Sequence, residues 1–96
     1  MYASIHRCQI STTSVNDAAE VGWRLGAILA RSPGFVAAIV VEDSTGVVFA
    51  ISLFDDQTSL IAATPLVDRW TADHCGIVEP DTTELVTGEV VAQKGL

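Results

Sequence analysis

The sequence predicts an α+β domain of the ferredoxin-like plan, βαββαβ, with a four-stranded antiparallel sheet. Two observations carry this. The first is the order of patterns: a strand-like run at Tyr2–Ile10, helical spacing at Val15–Arg31, two β-rich runs at Phe35–Glu42 and Val47–Phe54, helical spacing again at Gln57–Cys75, and a last β-rich run at Glu84–Ala92. The second is the Asp43-Ser44-Thr45-Gly46 stretch, which is hairpin chemistry and joins the two central runs as neighbours. A length of 96 residues fits one domain spanning the whole sequence.

The elements follow in order. In the first strand Tyr2, Ser4, His6, Cys8 and Ile10 point one way, and Ala3, Ile5, Arg7 and Gln9 the other. Ser14 is placed to cap the first helix, with Asp17 near the positive end of its dipole. Val15, Ala18, Ala19, Gly22, Leu25, Gly26 and Leu29 form the apolar arc. Gly22 and Gly26 cost helix propensity and predict close approach to the sheet, with Trp23 packing at the edge of the arc. Pro33-Gly34 ends the helix. The two central strands are apolar on both faces, whereas an antiparallel hairpin usually keeps one face wet. One face takes the helices; the other calls for a second cover, and a homodimer is the expected arrangement.

Asp55-Asp56 offers caps for the second helix, with Leu60, Ile61 and Thr64 facing inward. Thr64-Pro65 predicts a kinked or two-piece helix, restarted with Thr64 as cap and Pro65 in the first turn. Leu66, Val67, Trp70 and His74 then share one face, Pro80 belongs to a loop, and Gly88 is a candidate bulge in the last strand.

Composition narrows function by exclusion. The net charge of −7 disfavours nucleic acid and anionic membranes, which require basic surfaces. No segment approaches the ~20 apolar residues of a membrane span, and the first residues lack a signal-peptide pattern, so a cytoplasmic location is expected. Cys8 and Cys75 are then reduced thiols.

The candidate ligand site is His6, Trp70 and His74, which the strand and helix faces direct into one apolar layer. Two imidazoles beside an indole suit an aromatic ligand, and histidine is the side chain able to move a proton near neutrality. The plainer alternative is core packing. His6, Cys8, His74 and Cys75 formally match a zinc donor set, but without metal-binding spacing, so no metal is expected. No phosphate-cradling glycine loop or nucleophile elbow occurs. Arg7, opposite His6, is placed to pair across a dimer interface or to neutralise an acidic ligand.

The opening Tyr2-Ala3-Ser4-Ile5-His6-Arg7, the Ser32-Pro33-Gly34-Phe35 step, Val48–Phe54 running into Asp55-Asp56, and the closing Gly88-Glu89-Val90-Val91 together carry a resemblance. The chain resembles the dimeric α+β barrel superfamily typified by antibiotic-biosynthesis-monooxygenase-like (ABM) domains, and looks most like small bacterial members of unassigned function. The resemblance implies a homodimer, and the missing haem-degradation residues, the absent phosphate-binding glycine loop and the poor metal-ligand spacing predict no haem, flavin or metal. The resemblance also implies binding of a small apolar or aromatic molecule. Its alternative is a cofactor-independent monooxygenase-type enzyme on an aromatic or polyketide-like substrate, with His6 or His74 as base. Haem-degrading members of the superfamily use an Asn on the first strand and a Trp and a His on the second helix. Those positions fall on His6, near Ala63 and near Asp73, one residue from His74, so two of three do not match, the third matches only with a slip, and haem degradation is disfavoured.

Overall fold

The computed structural model describes residues 1–10, 15–43, 45–73 and 78–95. The elements run β1 (Tyr2–Ile10), α1 (Val15–Leu29), β2 (Phe35–Glu42), β3 (Val47–Phe54), α2 (Gln57–Asp73) and β4 (Val78–Glu89). The strands form one antiparallel sheet in the order β2-β3-β1-β4, the ferredoxin-like arrangement.

Register turns the sheet into rows of side chains. On one face lie Phe35, Phe54, Tyr2 and Glu89, then Ala38, Ser52, Ser4 and Thr87, then Val40, Ala50, His6 and Leu85. Both helices pack on this face, α1 over β2 and α2 over β1 and β3. The core between them holds Leu25 and Leu29 of α1, Leu60, Ala63 and Trp70 of α2, and Val48 and Phe54 of β3. The Phe54 ring meets Phe35 edge-on with centroids 5.9 Å apart.

The other face carries a row that is apolar across all four strands: Ile39, Ile51, Ile5 and Val86. Ile39, Ile5 and Val86 are exposed, as are Val36 and Val41 near them on β2. Arg7 also lies here, 3.7 Å from Glu84 on its neighbour β4. Phe49 belongs to this open face, opposite Arg7, and Ala50 to the helix face, opposite His6.

Local chemistry fixes the connections. Gly34 has a φ of +78°, and a Cβ there would collide with the Ser59 side chain, so the step out of α1 needs glycine twice over. Asp56 caps α2: its Oδ1 accepts from the Ser59 N–H at 2.8 Å, which holds its carboxyl below the usual range. In the hairpin, Asp43 Oδ1 accepts from the Thr45 N–H at 2.7 Å and from the Val47 N–H at 3.2 Å, and Gly46 takes a φ of +89°.

Several expectations need correction. α2 is one continuous helix with Pro65 inside it, which overturns the two-piece alternative, and Thr64 donates its hydroxyl to the Leu60 carbonyl at 3.1 Å instead of capping a second piece. The carbonyl of Ile61, which loses its partner to the proline, sits on an exposed residue where water can replace it. The inner face of α2 is Leu60, Ala63, Val67 and Trp70; Ile61 and Leu66 lie outside. β4 starts at Val78, ahead of Pro80, because an edge strand tolerates a missing N–H. Its irregularity is opposite Arg7–Gln9 of β1, and Gly88 pairs regularly with Ala3. Val90 to Gly95 form no strand. Trp23 is 80% exposed and does not pack within its own chain. The Ser14 cap lies outside the described residues.

The two helical glycines part company. A Cβ at Gly22 would lie 2.8 Å from Val40 Cγ2, so α1 rests on β2 at this point. A Cβ at Gly26 would meet nothing within 4 Å. Gly22→Ala should destabilise the protein by about 1–2 kcal/mol through overpacking, and Gly26→Ala should stabilise it by about 0.5–1 kcal/mol through helix propensity. Urea denaturation of the two variants checks both signs.

Candidate functional site

The layer between the sheet and α2 is set by chain geometry. The link Asp55–Asp56 turns the chain straight from β3 back over the sheet. At about 1.5 Å per helical residue and about 3.3 Å per strand residue, α2 brings Ala63 over the level of Ser4 and Ser52, and Val67 to Trp70 over the level of His6 and Cys8. Two observations agree with this placement. Trp70 shares its core cluster with Val48 and Cys8 at the far end of the sheet, and the Asp68 carboxylate acts electrostatically on His6.

His6 projects from the centre of β1 into this layer, between Ala50 on β3 and Leu85 on β4. Burial strips water from its imidazole and lowers its pKa below the ordinary value; Asp68 opposes the shift with the smaller effect. His6 is therefore neutral near pH 7, with one ring nitrogen free to accept a proton. Trp70 is buried on the inner face of α2. His74 and Cys75 lie outside the described residues, so the third candidate of the sequence triad has no position here. Cys8 is half-buried and free, and burial pushes its thiol pKa up, away from thiolate reactivity.

The sequence reasoning passed over two side chains in this layer. Ser4 and Ser52 face each other across β1 and β3, one step along the sheet from His6, and only 7% and 8% of their surface remains exposed. The available signal was a serine at a helix-facing position, for Ser52 in an otherwise apolar strand. Asp68, by contrast, gave no sequence signal, since its proximity to His6 depends on how α2 lies across β1.

The helices sit over β2, β3 and β1, while Leu85 and Thr87, on the same face of β4, are exposed. The layer is thus most open along its β4 side. Among the described residues, no group of three or more His, Cys, Asp or Glu side chains is gathered to hold a metal ion. No helix is long and apolar enough to cross a membrane among them.

No protein-family model matches the chain, and no curated protein is similar to it. Solved structures do match over nearly the whole length. SnoaB from Streptomyces nogalater, a cofactor-independent oxygenase, is 18% identical, with 99% of this chain and 95% of that one covered and a TM-score of 0.73. NE2512 from Nitrosomonas europaea, a protein of unknown function, is 12% identical with 99% and 93% covered and a TM-score of 0.79. A mutant of MhuD with two manganese protoporphyrin IX molecules per active site is 16% identical with 99% of each chain covered and a TM-score of 0.74. An antibiotic biosynthesis monooxygenase is similar at 18% identity, with 96% and 100% covered and a TM-score of 0.71. The chain therefore has the ABM fold, shared by proteins of differing and unknown function.

The electrostatics of His6 set a pH dependence. Below its ordinary pKa of 6.5 the unfolded chain takes up a proton that the folded imidazole resists. Stability contributed by keeping His6 neutral is complete above that value and is lost as pH falls from 6.5 toward the lowered folded pKa. Thermal melts between pH 7.5 and 5 should show a steeper loss for the natural protein than for His6→Gln, whose side chain does not titrate. Parallel curves would show that His6 is not desolvated.

Proposed function

We propose that this chain binds a small apolar or aromatic molecule between the sheet and α2, against His6 and Trp70, with His74 as the further candidate from the sequence. The observation that carries the reading is His6. A titratable group at the centre of the sheet is held neutral, beneath the same helix that buries an indole. A binding layer with few polar groups, each able to orient a ligand, is the usual make-up of small-molecule sites.

We propose further that the functional unit is a homodimer whose open sheet faces pack together. The row Ile39, Ile51, Ile5 and Val86 supports it, since it would otherwise place a contiguous apolar band in water. The acidic charge of the chain supports the expectation that neither nucleic acid nor an anionic membrane is a partner. A cytoplasmic location accords with the reduced Cys8.

The second reading is an enzyme of the cofactor-independent oxygenase kind, and the likeness to SnoaB together with the neutral imidazole favours it. In that case His6 removes a proton from an acidic position of an aromatic substrate, and the anion so formed is oxidised by dissolved oxygen, with no haem, flavin or metal required. Two of the three haem-degrading positions do not match, since His6 stands for the Asn and the Trp falls near Ala63; the third, near Asp73, meets His74 only with a slip of one residue.

Amide NMR shifts during titration with 2-methylnaphthalene test the binding reading. The affected residues should be His6, Ala50 and the Val67–Trp70 turn of α2, with Ile39 and Ile51 unmoved. Shifts confined to the open face, or none, contradict it. The enzymatic reading separates cleanly: oxygen uptake with anthrone should exceed the buffer rate and return to it in His6→Ala, which leaves the fold intact.

A further inference from the structure

On the homodimer reading above, we propose that Arg7 and Glu84 of each copy meet those of the second copy near the two-fold axis, in one cluster of four charges that sets the partner and the register the open face accepts. Register puts Val41, Phe49, Arg7 and Glu84 in one row, next to the apolar row Ile39, Ile51, Ile5 and Val86. Arg7 stands near the middle of this face, one residue from the midpoint of β1, which is an inner strand of the sheet. An arginine at the centre of a largely apolar surface is costly to cover, because the guanidinium loses its water and then requires a carboxylate. The pairing within its own chain is loose. Glu84 lies 3.7 Å away, beyond hydrogen-bond distance, and the two side chains keep 45% and 71% of their surface exposed. Asp43 also acts on Arg7 through space, but its carboxylate is held by the Thr45 and Val47 N–H groups of the hairpin.

A second copy resolves this where an unrelated apolar surface does not. Two sheet faces related by a two-fold axis lying between them bring residues near the axis against their own copies. Arg7 is close to any such axis that lets the faces overlap fully, so the two guanidiniums approach each other. Each then needs a carboxylate, and Glu84 stands one strand over in the same row of each copy. The four groups sum to zero charge, in a chain whose net charge of −7 makes two copies repel overall. The area is sufficient as well. Four strands about 4.8 Å apart, with about 3.3 Å for each of the eight residues of β3, give a face of roughly 19 by 26 Å. Two copies then cover on the order of 1,000 Å², the size at which specific interfaces begin. The apolar row supplies the contact and the charges supply the discrimination, since a displaced register leaves an arginine covered without a carboxylate.

Charge reversal tests the cluster. Arg7→Glu leaves two negative charges at the site, and Glu84→Arg leaves two positive ones. Both positions are exposed, and thermal melts should show each variant folded. Sedimentation at micromolar concentration should find the natural chain dimeric and each variant alone with its dissociation constant raised at least about tenfold, because four like charges then meet. An equimolar mixture of the two variants should restore the dimer. Native mass spectrometry should find the mixed pair well above the half share that random pairing gives. The doubly reversed Arg7→Glu/Glu84→Arg chain should dimerise as the natural one does. If the two residues interact only within their own chain, both single variants dimerise unchanged and mix at random. That result would overturn the cluster and leave the homodimer in place, as would a mixture that stays dissociated while the natural chain is dimeric. A natural chain that sediments as a monomer would remove the homodimer reading itself, and the cluster with it.

Discussion

Everything in this fold follows from a sheet that is apolar on both sides and has helices for only one of them. In β3, Val48, Ser52 and Phe54 face the helices while Phe49, Ile51 and Leu53 face away, and no stretch of the chain is set aside to wet either side. Burial of apolar surface contributes about 25 cal/mol per Å², so an uncovered row of isoleucine and valine across four strands is a standing incentive to associate. An isolated sheet of this kind also has limited core: in a chain of this size a large share of the surface stays exposed. The second cover therefore bears on stability as much as on assembly.

The covered face is organised by where side chains are small. At Gly22 the absence of a Cβ lets α1 rest on Val40, and at Gly34 it lets the chain pass Ser59 at the start of α2. These contacts fix the helices at the β2 side and at the Phe54 end of the sheet. Between them, Ser52 and Ser4 lie buried beneath the helices, while Ala38 and Thr87 at the two ends of their row are exposed, and His6 rises from the next row. The layer between the sheet and α2 is thus bounded by close packing at its margins. That arrangement puts His6 at the centre of the sheet, where burial lowers its pKa, and leaves Leu85 and Thr87 of β4 exposed.

Much of the fold was legible because its signals are local and redundant. Strand alternation in Tyr2–Ile10 assigned His6 and Arg7 to opposite faces, and the turn chemistry of Asp43 and Gly46 bounded the hairpin at the residues observed. What failed depended on context. Pro80 and its acidic neighbours read as loop, yet an edge strand accommodates proline. Thr64-Pro65 read as a break, yet an exposed Ile61 carbonyl can turn to water and the helix continues. Ile61, Leu66 and Trp23 are apolar by type, and only the tilt of each helix on the sheet decides that they face outward. For the candidate site, the inward faces of His6 and Trp70 were readable from spacing, whereas the pairing of Ser4 with Ser52 appears only once register is known.

The central claim is that the two faces have separate roles, one closed by helices around a ligand layer and the other closed by a second copy. Sedimentation equilibrium of the natural chain and of Ile39→Asp tests it most directly, because Ile39 is half-exposed on the open face and remote from the helix layer. The account predicts a mass of twice 10.1 kDa for the natural chain at micromolar concentration and dissociation in the variant. A natural chain that sediments at 10.1 kDa, folded and stable, contradicts it.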